Sequence, residues 1–286
     1  MGSLIRTEDI TKSYIQENQV LKGINLEIQE GEFVSILGES GSGKTTLLSI
    51  LGGMETPTTG KVFFKDLELS NLKEKELAKL RRTEIGFVFQ FFNLAPYLNV
   101  EENIFLPLVL DGKNKKVYME RFNSLVETLQ IKDILDKFPS NISGGEQQRV
   151  AICKSLIYSP ELILLDEPTG NLDSKNANEI MVLLRDINET QGTTIIQVTH
   201  SEQNAQFGDR IIRILDGQII EDTHIEKIKL SKKDTKAQDP YVDMEQEQEY
   251  ETKEEMPLED IEDESSTMEE PIQEETLLSS DIDTEE

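Results

Sequence analysis

The residues best suited to chemistry form one run, Gly38-Glu39-Ser40-Gly41-Ser42-Gly43-Lys44-Thr45. It fits the phosphate-loop pattern G-x-x-x-x-G-K-[S/T]. The chemistry is anion capture: the unpaired N–H groups of a helix N-terminus and the positive end of its dipole point at one spot. Gly38, Gly41 and Gly43 lack a Cβ, which lets the backbone wrap closely around phosphates. Lys44 adds a full positive charge at the β/γ-phosphates, and the Thr45 hydroxyl is suited to Mg²⁺. Two carboxylates, Asp166 and Glu167, follow a second apolar run. One suits a metal ion and the other an attacking water. Thr199-His200 ends a third run. A lone histidine is usually a packing residue, but this one shares a strand edge with the acids.

These groups need particular elements to hold them. Phe33-Val34-Ser35-Ile36-Leu37 reads as a strand entering the loop, and Thr46-Leu47-Leu48-Ser49-Ile50-Leu51 as a buried helix leaving it. Leu162-Ile163-Leu164-Leu165 is continuous and apolar, as in a strand covered on both faces of a parallel sheet. Ligands of such sheets bind at the carboxyl ends of the strands. Thr194-Ile195-Ile196-Gln197-Val198 reads as another buried strand, and residues 176–189 as the helix between them.

Residues 4–10 and 23–28 alternate apolar and polar with period two, which predicts strands. A turn at Pro57-Thr58-Thr59-Gly60 precedes a short strand, Lys61-Val62-Phe63-Phe64. Residues 73–82 read as a charged helix and 84–89 as a strand leading to Gln90. Residues 91–158 carry helical spacing without strand signals and form a helical insert. Within it, Ser143 and Glu146 have the spacing of a capping box around Gly144 and Gly145. Alone, that pattern fits an ordinary capped helix or one whose amides hold a phosphate. Residues 210–215 and 218–221 read as a hairpin around Asp216-Gly217.

Composition sets the limits. The 286 residues carry a net charge of −27, unevenly spread. Residues 234–286 hold 22 acidic against 2 basic residues, leaving 34 acidic and 27 basic on the remainder. The expected organisation is a domain over 1–230 and an acidic, disordered segment over 231–286 that cannot offset its ordering entropy. Neither part has the basic excess of a nucleic-acid binder. The single cysteine, Cys153, lies in an apolar stretch and reads as a buried small hydrophobe. No apolar run approaches the ~20 residues of a membrane-spanning helix, and the first residues lack a secretory or myristoylation pattern. A soluble chain is expected, with any membrane role exerted through a partner.

Taken together, these motifs resemble the ATPase subunit of ABC transporters, over residues 4–222. The resemblance implies an α/β phosphate-loop NTPase with a RecA-like core, an antiparallel β subdomain and a helical subdomain at about 91–158. It implies ATP and Mg²⁺ as ligands. Tyr14 matches the aromatic that stacks on adenine. Gly38, Ser40, Gly41, Ser42, Gly43, Lys44, Thr45 and Thr46 match the Walker A loop. Gln90 matches the Q-loop glutamine, Asp166 the Walker B acid, Glu167 the base and His200 the switch histidine. Thr45, Gln90 and Asp166 are implied at the metal. Ser143, Gly144, Gly145 and Glu146 match the signature motif and Asp173 the D-loop, both of which face the partner's ATP in a head-to-tail homodimer. Glu39, Ile142, Glu146 and Lys154 depart from the commoner residues without removing a catalytic group. The stretches 87–94, 102–108 and 169–174 are similar to the branch serving macrolide export, lipoprotein release and antimicrobial-peptide resistance. That branch implies a separate MacB-like permease and a place on the cytoplasmic face of the cell membrane. The alternatives are a soluble ABC ATPase without transport and a nucleotide-binding scaffold without turnover.

Overall fold

Period-two alternation at the N-terminus builds a sheet of its own. The computed structural model describes residues 2–15 and 18–226, which fall within the unit Met1–Pro240. The acidic segment expected at 231–286 lies outside the described residues. Strands β1 (Ser3–Ile15) and β2 (Asn18–Gln29) pair antiparallel. Their inward residues Ile5, Ile10, Leu21, Ile24 and Ile28 are buried. Next come β3 (Phe33–Leu37), helix α1 (Lys44–Leu51), β4 (Thr59–Phe64) and β5 (Leu67–Glu68). β4 joins β1 and β5 joins β4, so this sheet has the order β2-β1-β4-β5.

β3 belongs to a second sheet. All five of its residues are buried, as a strand needs when both faces are covered. After α2 (Glu74–Thr83) and β6 (Ile85–Val88) come three helices, α3 (Val100–Leu110), α4 (Met119–Thr128) and α5 (Gly144–Leu156). They make the helical insert. The chain then returns through β7 (Leu162–Asp166), α6 (Ser174–Gln191), β8 (Thr194–Thr199), α7 (Glu202–Ala205) and the hairpin β9 (Arg210–Leu215) and β10 (Gln218–His224). The strand order is β10-β9-β3-β8-β7-β6. Every pairing is parallel except β9 with β10. No helix among the described residues is long and apolar enough to cross a membrane.

Helix α1 locks the two sheets together. Its Leu47, Leu48 and Leu51 share one buried cluster with Ile36, Leu164 and Ile196 of the parallel sheet and with Ile5, Ile24 and Ile28 of the antiparallel one. Each such side chain contributes about 1.5–3 kcal/mol. The same packing fixes where the N-terminus of α1 points. Because β3, β6, β7 and β8 are parallel, Gly38, Gln90, Glu167 and His200 all follow strand ends on one edge. Gln90 lies two residues beyond β6, which ends at Val88 rather than running through to it.

Candidate functional site

Between β3 and α1 the backbone has little freedom. Gly43 precedes the helix at φ 100. A Cβ on it would stand 2.9 Å from Leu21 Cδ2 and 3.0 Å from the Val20 carbonyl oxygen. At Gly38 a Cβ would approach the Ile214 carbonyl oxygen to 2.4 Å. These contacts hold the loop against the antiparallel sheet and the terminal hairpin. Lys44 arches over the loop, its Nζ donating to the carbonyl oxygens of Gly38 and Glu39 at 2.7 Å each. Burial pushes its ammonium below the ordinary value, while the charges of Glu167 and Asp166 oppose that shift. Ser42 Oγ is buried without a hydrogen-bond partner. A half-desolvated cation and an orphaned hydroxyl beside open helix amides fit a polyphosphate.

The acids lie opposite. Thr45 Oγ1 donates to Asp166 Oδ1 at 3.0 Å. Burial raises the Asp166 carboxyl above its ordinary value and Glu167 adds to the rise, while the Thr45 hydrogen bond and Lys44 act against it. A divalent cation would relieve that strain, and a hydroxyl beside a carboxylate is the hard-oxygen set that Mg²⁺ takes. No group of three or more His, Cys, Asp or Glu gathers among the described residues. Phosphate and water oxygens would therefore supply the rest of such a shell.

Glu167 adopts φ 47, a left-handed conformation uncommon for a side chain of its size. Its N–H donates to the Val198 carbonyl at 3.1 Å. Its carboxylate meets His200 Nδ1 at 3.0 and 3.1 Å. Both residues line a cleft of about 660 Å³ with Tyr14, Ser40, Gly41, Gly43, Lys44, Thr45, Thr46 and Gln90. Tyr14 stands at the rim, its hydroxyl donating to Glu55 Oε2 at 2.8 Å. The Gln90 carbonyl accepts from Asn171 Nδ2 at 2.8 Å.

The other expected site residues do not line this cleft. Ser143 caps α5, accepting the Glu146 N–H at 3.3 Å. Glu146 Oε2 accepts the Ser143 N–H at 2.7 Å and its hydroxyl at 2.8 Å. Those two bonds hold the Glu146 carboxyl below its ordinary value. Asp173 caps α6, accepting the Asn176 N–H at 3.1 Å. A Cβ on Gly145 would lie 2.9 Å from Asn176 Oδ1, so the two helix starts are neighbours. Gly144 lies close to Leu172 and Phe92. Among the described residues, the capped N-terminus of α5 thus lies apart from the cleft and follows no phosphate loop.

Two contacts around the site have no sequence signal. Glu55 reaches Tyr14 from 41 residues away, and Asn204 Nδ2 donates to Thr169 Oγ1 at 2.7 Å across 35 residues. Their residue types are ordinary, and only the fold brings them together.

A phosphate loop after a parallel strand, with paired acids after the next strand but one of the same sheet, defines a phosphate-loop nucleotide hydrolase. The ABC transporter family profile matches residues 21–170. The ABC transporter ATP-binding protein MJ0796 of Methanocaldococcus jannaschii is 44% identical over 76% of this chain and 95% of its own. A structure of it titled as a dimeric post-hydrolysis state bound to ADP and Pi has a TM-score of 0.72, with 40% identity over 78% of this chain and 100% of that one. The lipoprotein-releasing system ATP-binding protein LolD of Aquifex aeolicus is 46% identical over 77% of this chain and 97% of its own. The macrolide export ATP-binding/permease protein MacB of Campylobacter jejuni is 46% identical over 78% of this chain but only 35% of its own. The chain belongs to the ABC transporter ATP-binding family, and it is an ATP-hydrolysing subunit of that class.

Proposed function

We propose that this chain holds Mg-ATP in the cleft between Tyr14 and His200, hydrolyses it as a head-to-tail homodimer, and drives an integral-membrane permease of the MacB type in export or extraction. The observation that carries the reading is the meeting of two pairs at one sheet edge: Thr45 with Asp166, and Glu167 with His200, each at 3.0 Å. The first pair is a cation site beside the phosphate loop. The second is a base held by an orienting imidazole.

In this reading Lys44 and the amides of residues 40–46 bind the phosphates, with Ser42 Oγ as a further donor. Tyr14 stacks on the adenine from the rim. Thr45, Asp166 and Gln90 hold Mg²⁺, which when bound neutralises charge on the phosphate oxygens. Glu167 takes a proton from the attacking water, and His200 keeps its carboxylate turned to the cleft. Ser143, Gly144, Gly145, Glu146 and Asp173 face the nucleotide of the second subunit. Their separation from the chain's own cleft supports this, as does the dimeric state named for the MJ0796 structure. The cassette-length relative LolD is named for a lipoprotein-releasing system, and MacB joins a cassette to a permease in one protein. Those names support a transport partner and a place on the cytoplasmic face of the membrane.

The test is Glu167→Gln in the full-length chain. ATP binding is retained, turnover falls by about 10²-fold or more as a lost general base requires, and an ATP-bound dimer accumulates. Turnover at the wild-type rate removes Glu167 from the role of base.

A further inference from the structure

We propose that Asn204 is a positioning residue for hydrolysis, its side chain latching the turn that carries Glu167 to the loop that carries His200. The inference rests on the reading of Glu167 as base.

Glu167 opens a four-residue turn closed by the Gly170 N–H on the Glu167 carbonyl at 3.1 Å. Pro168 takes the second place, where its fixed φ suits such a turn. Thr169 takes the third and is 6% exposed. On the other side, α7 follows His200, and Asn204 sits within it. The backbone of Asn204 is anchored without help from its side chain. Its N–H donates to Ser201 Oγ at 3.2 Å and its carbonyl accepts from Gln197 Nε2 at 2.8 Å. That leaves the side-chain amide for Thr169 Oγ1 at 2.7 Å.

The two loops face each other across a polar cavity of about 220 Å³ walled in part by Glu167, Thr169, His200 and Asn204. Three hydrogen-bonded contacts join them among the described residues. One is the Glu167 N–H on Val198, which fixes only the end of the strand. The second is the Glu167–His200 pair, where the histidine side chain is 67% exposed and competes with water. The third is the Asn204–Thr169 bond, whose acceptor is buried. Glu167 is held at φ 47, and a conformation of that kind persists only where its surroundings over-determine it. The latch supplies that restraint on the turn itself, three residues along the chain from Asp166. Without it the turn pivots, and the carboxylate spends less time facing the cleft. Phosphate binding through Lys44 runs through other contacts and is unaffected.

The test compares full-length Asn204→Ala, Thr169→Val, Thr169→Ser and the Ala/Val double variant in steady-state ATP hydrolysis, with Glu167→Gln alongside. Asn204→Ala and Thr169→Val each lower kcat by about five-fold, the factor one neutral hydrogen bond supplies, with KM for ATP unchanged. Thr169→Ser keeps the hydroxyl and the rate. The double variant is no slower than either single one, since both remove the same bond. Thermal unfolding checks that each variant is folded; alanine suits a helix, so Asn204→Ala and Thr169→Ser decide the matter even if Thr169→Val does not fold. The latch is overturned by a wild-type kcat in Asn204→Ala, by a loss that appears in KM alone, or by additive losses in the double variant. Wild-type turnover in Glu167→Gln instead overturns the reading of the base, whatever Asn204 does.

Discussion

Ser143→Ala separates a structural role from a functional one at the second helix N-terminus. The change removes two hydrogen bonds, one from the Glu146 N–H at 3.3 Å and one to Glu146 Oε2 at 2.8 Å. It leaves the 2.7 Å bond from the Ser143 N–H to the same carboxylate. Losing a serine cap costs about 1 kcal/mol. In a folded unit of this size that lowers Tm by about 2–4 °C, so the variant stays folded at 25 °C. As a cap alone, Ser143 would leave dimerisation untouched. As a ligand of the partner's ATP, it gives a charge-assisted hydrogen bond worth about 1.5–3 kcal/mol. A two-fold dimer makes that bond twice, so the ATP-bound dimer loses about 3–6 kcal/mol and its dissociation constant rises by about 10²–10⁴-fold. The assay is sedimentation with Mg-ATP in a Glu167→Gln background, with and without Ser143→Ala. A dimer that persists with the same concentration dependence refutes the composite site and leaves Ser143 as a cap.

Two further outcomes test the fold around the site. Cys153 is fully buried, and that burial pushes its thiol far above the ordinary value; it therefore fails to react with a disulfide reagent at pH 8 in the folded protein and reacts fully in urea. Arg210 grips Asp222 at 2.6 and 2.7 Å and holds its carboxyl below the ordinary 3.8. Because the folded value is the lower one, the pair's contribution is fully present above pH 3.8 and is lost as pH falls through the lowered value. The urea midpoint of Asp222→Asn accordingly falls less steeply with acid than that of the wild type, and parallel curves would refute the coupling.

What the sequence made legible was local. The strand, glycine loop and helix around Lys44 follow one another without interruption, and each signal agrees with the next. The capping box at Ser143 and Glu146 could be read from spacing alone, and the structure forms it. A second box at Asn99 and Glu102, which starts α3, has the same logic but begins with asparagine. Helix α6 starts at Ser174, where Asp173 caps it, two residues before the start expected from the sequence. β6 stops at Val88, and Gln90, two residues beyond, lines the cleft.

The catalytic geometry was not legible, and the reason is physical. Nothing in the types of Glu167, Pro168 and Thr169 announces a left-handed glutamate, because that backbone state is disfavoured locally and is sustained by distant contacts. Val198, His200 and Asn204 are the residues that sustain it, and they lie 31, 33 and 37 positions away in sequence. Motif spacing could place the acids at a strand end, yet only the pairing of β7 with β8 in parallel register sets Asp166 beside Val198. That register carries His200 up to the carboxylate. A perturbation of β8 that leaves every motif residue in place should therefore act on turnover through the orientation of Glu167. Sequence patterns nominate the groups proposed for the chemistry; the sheet register decides whether they meet.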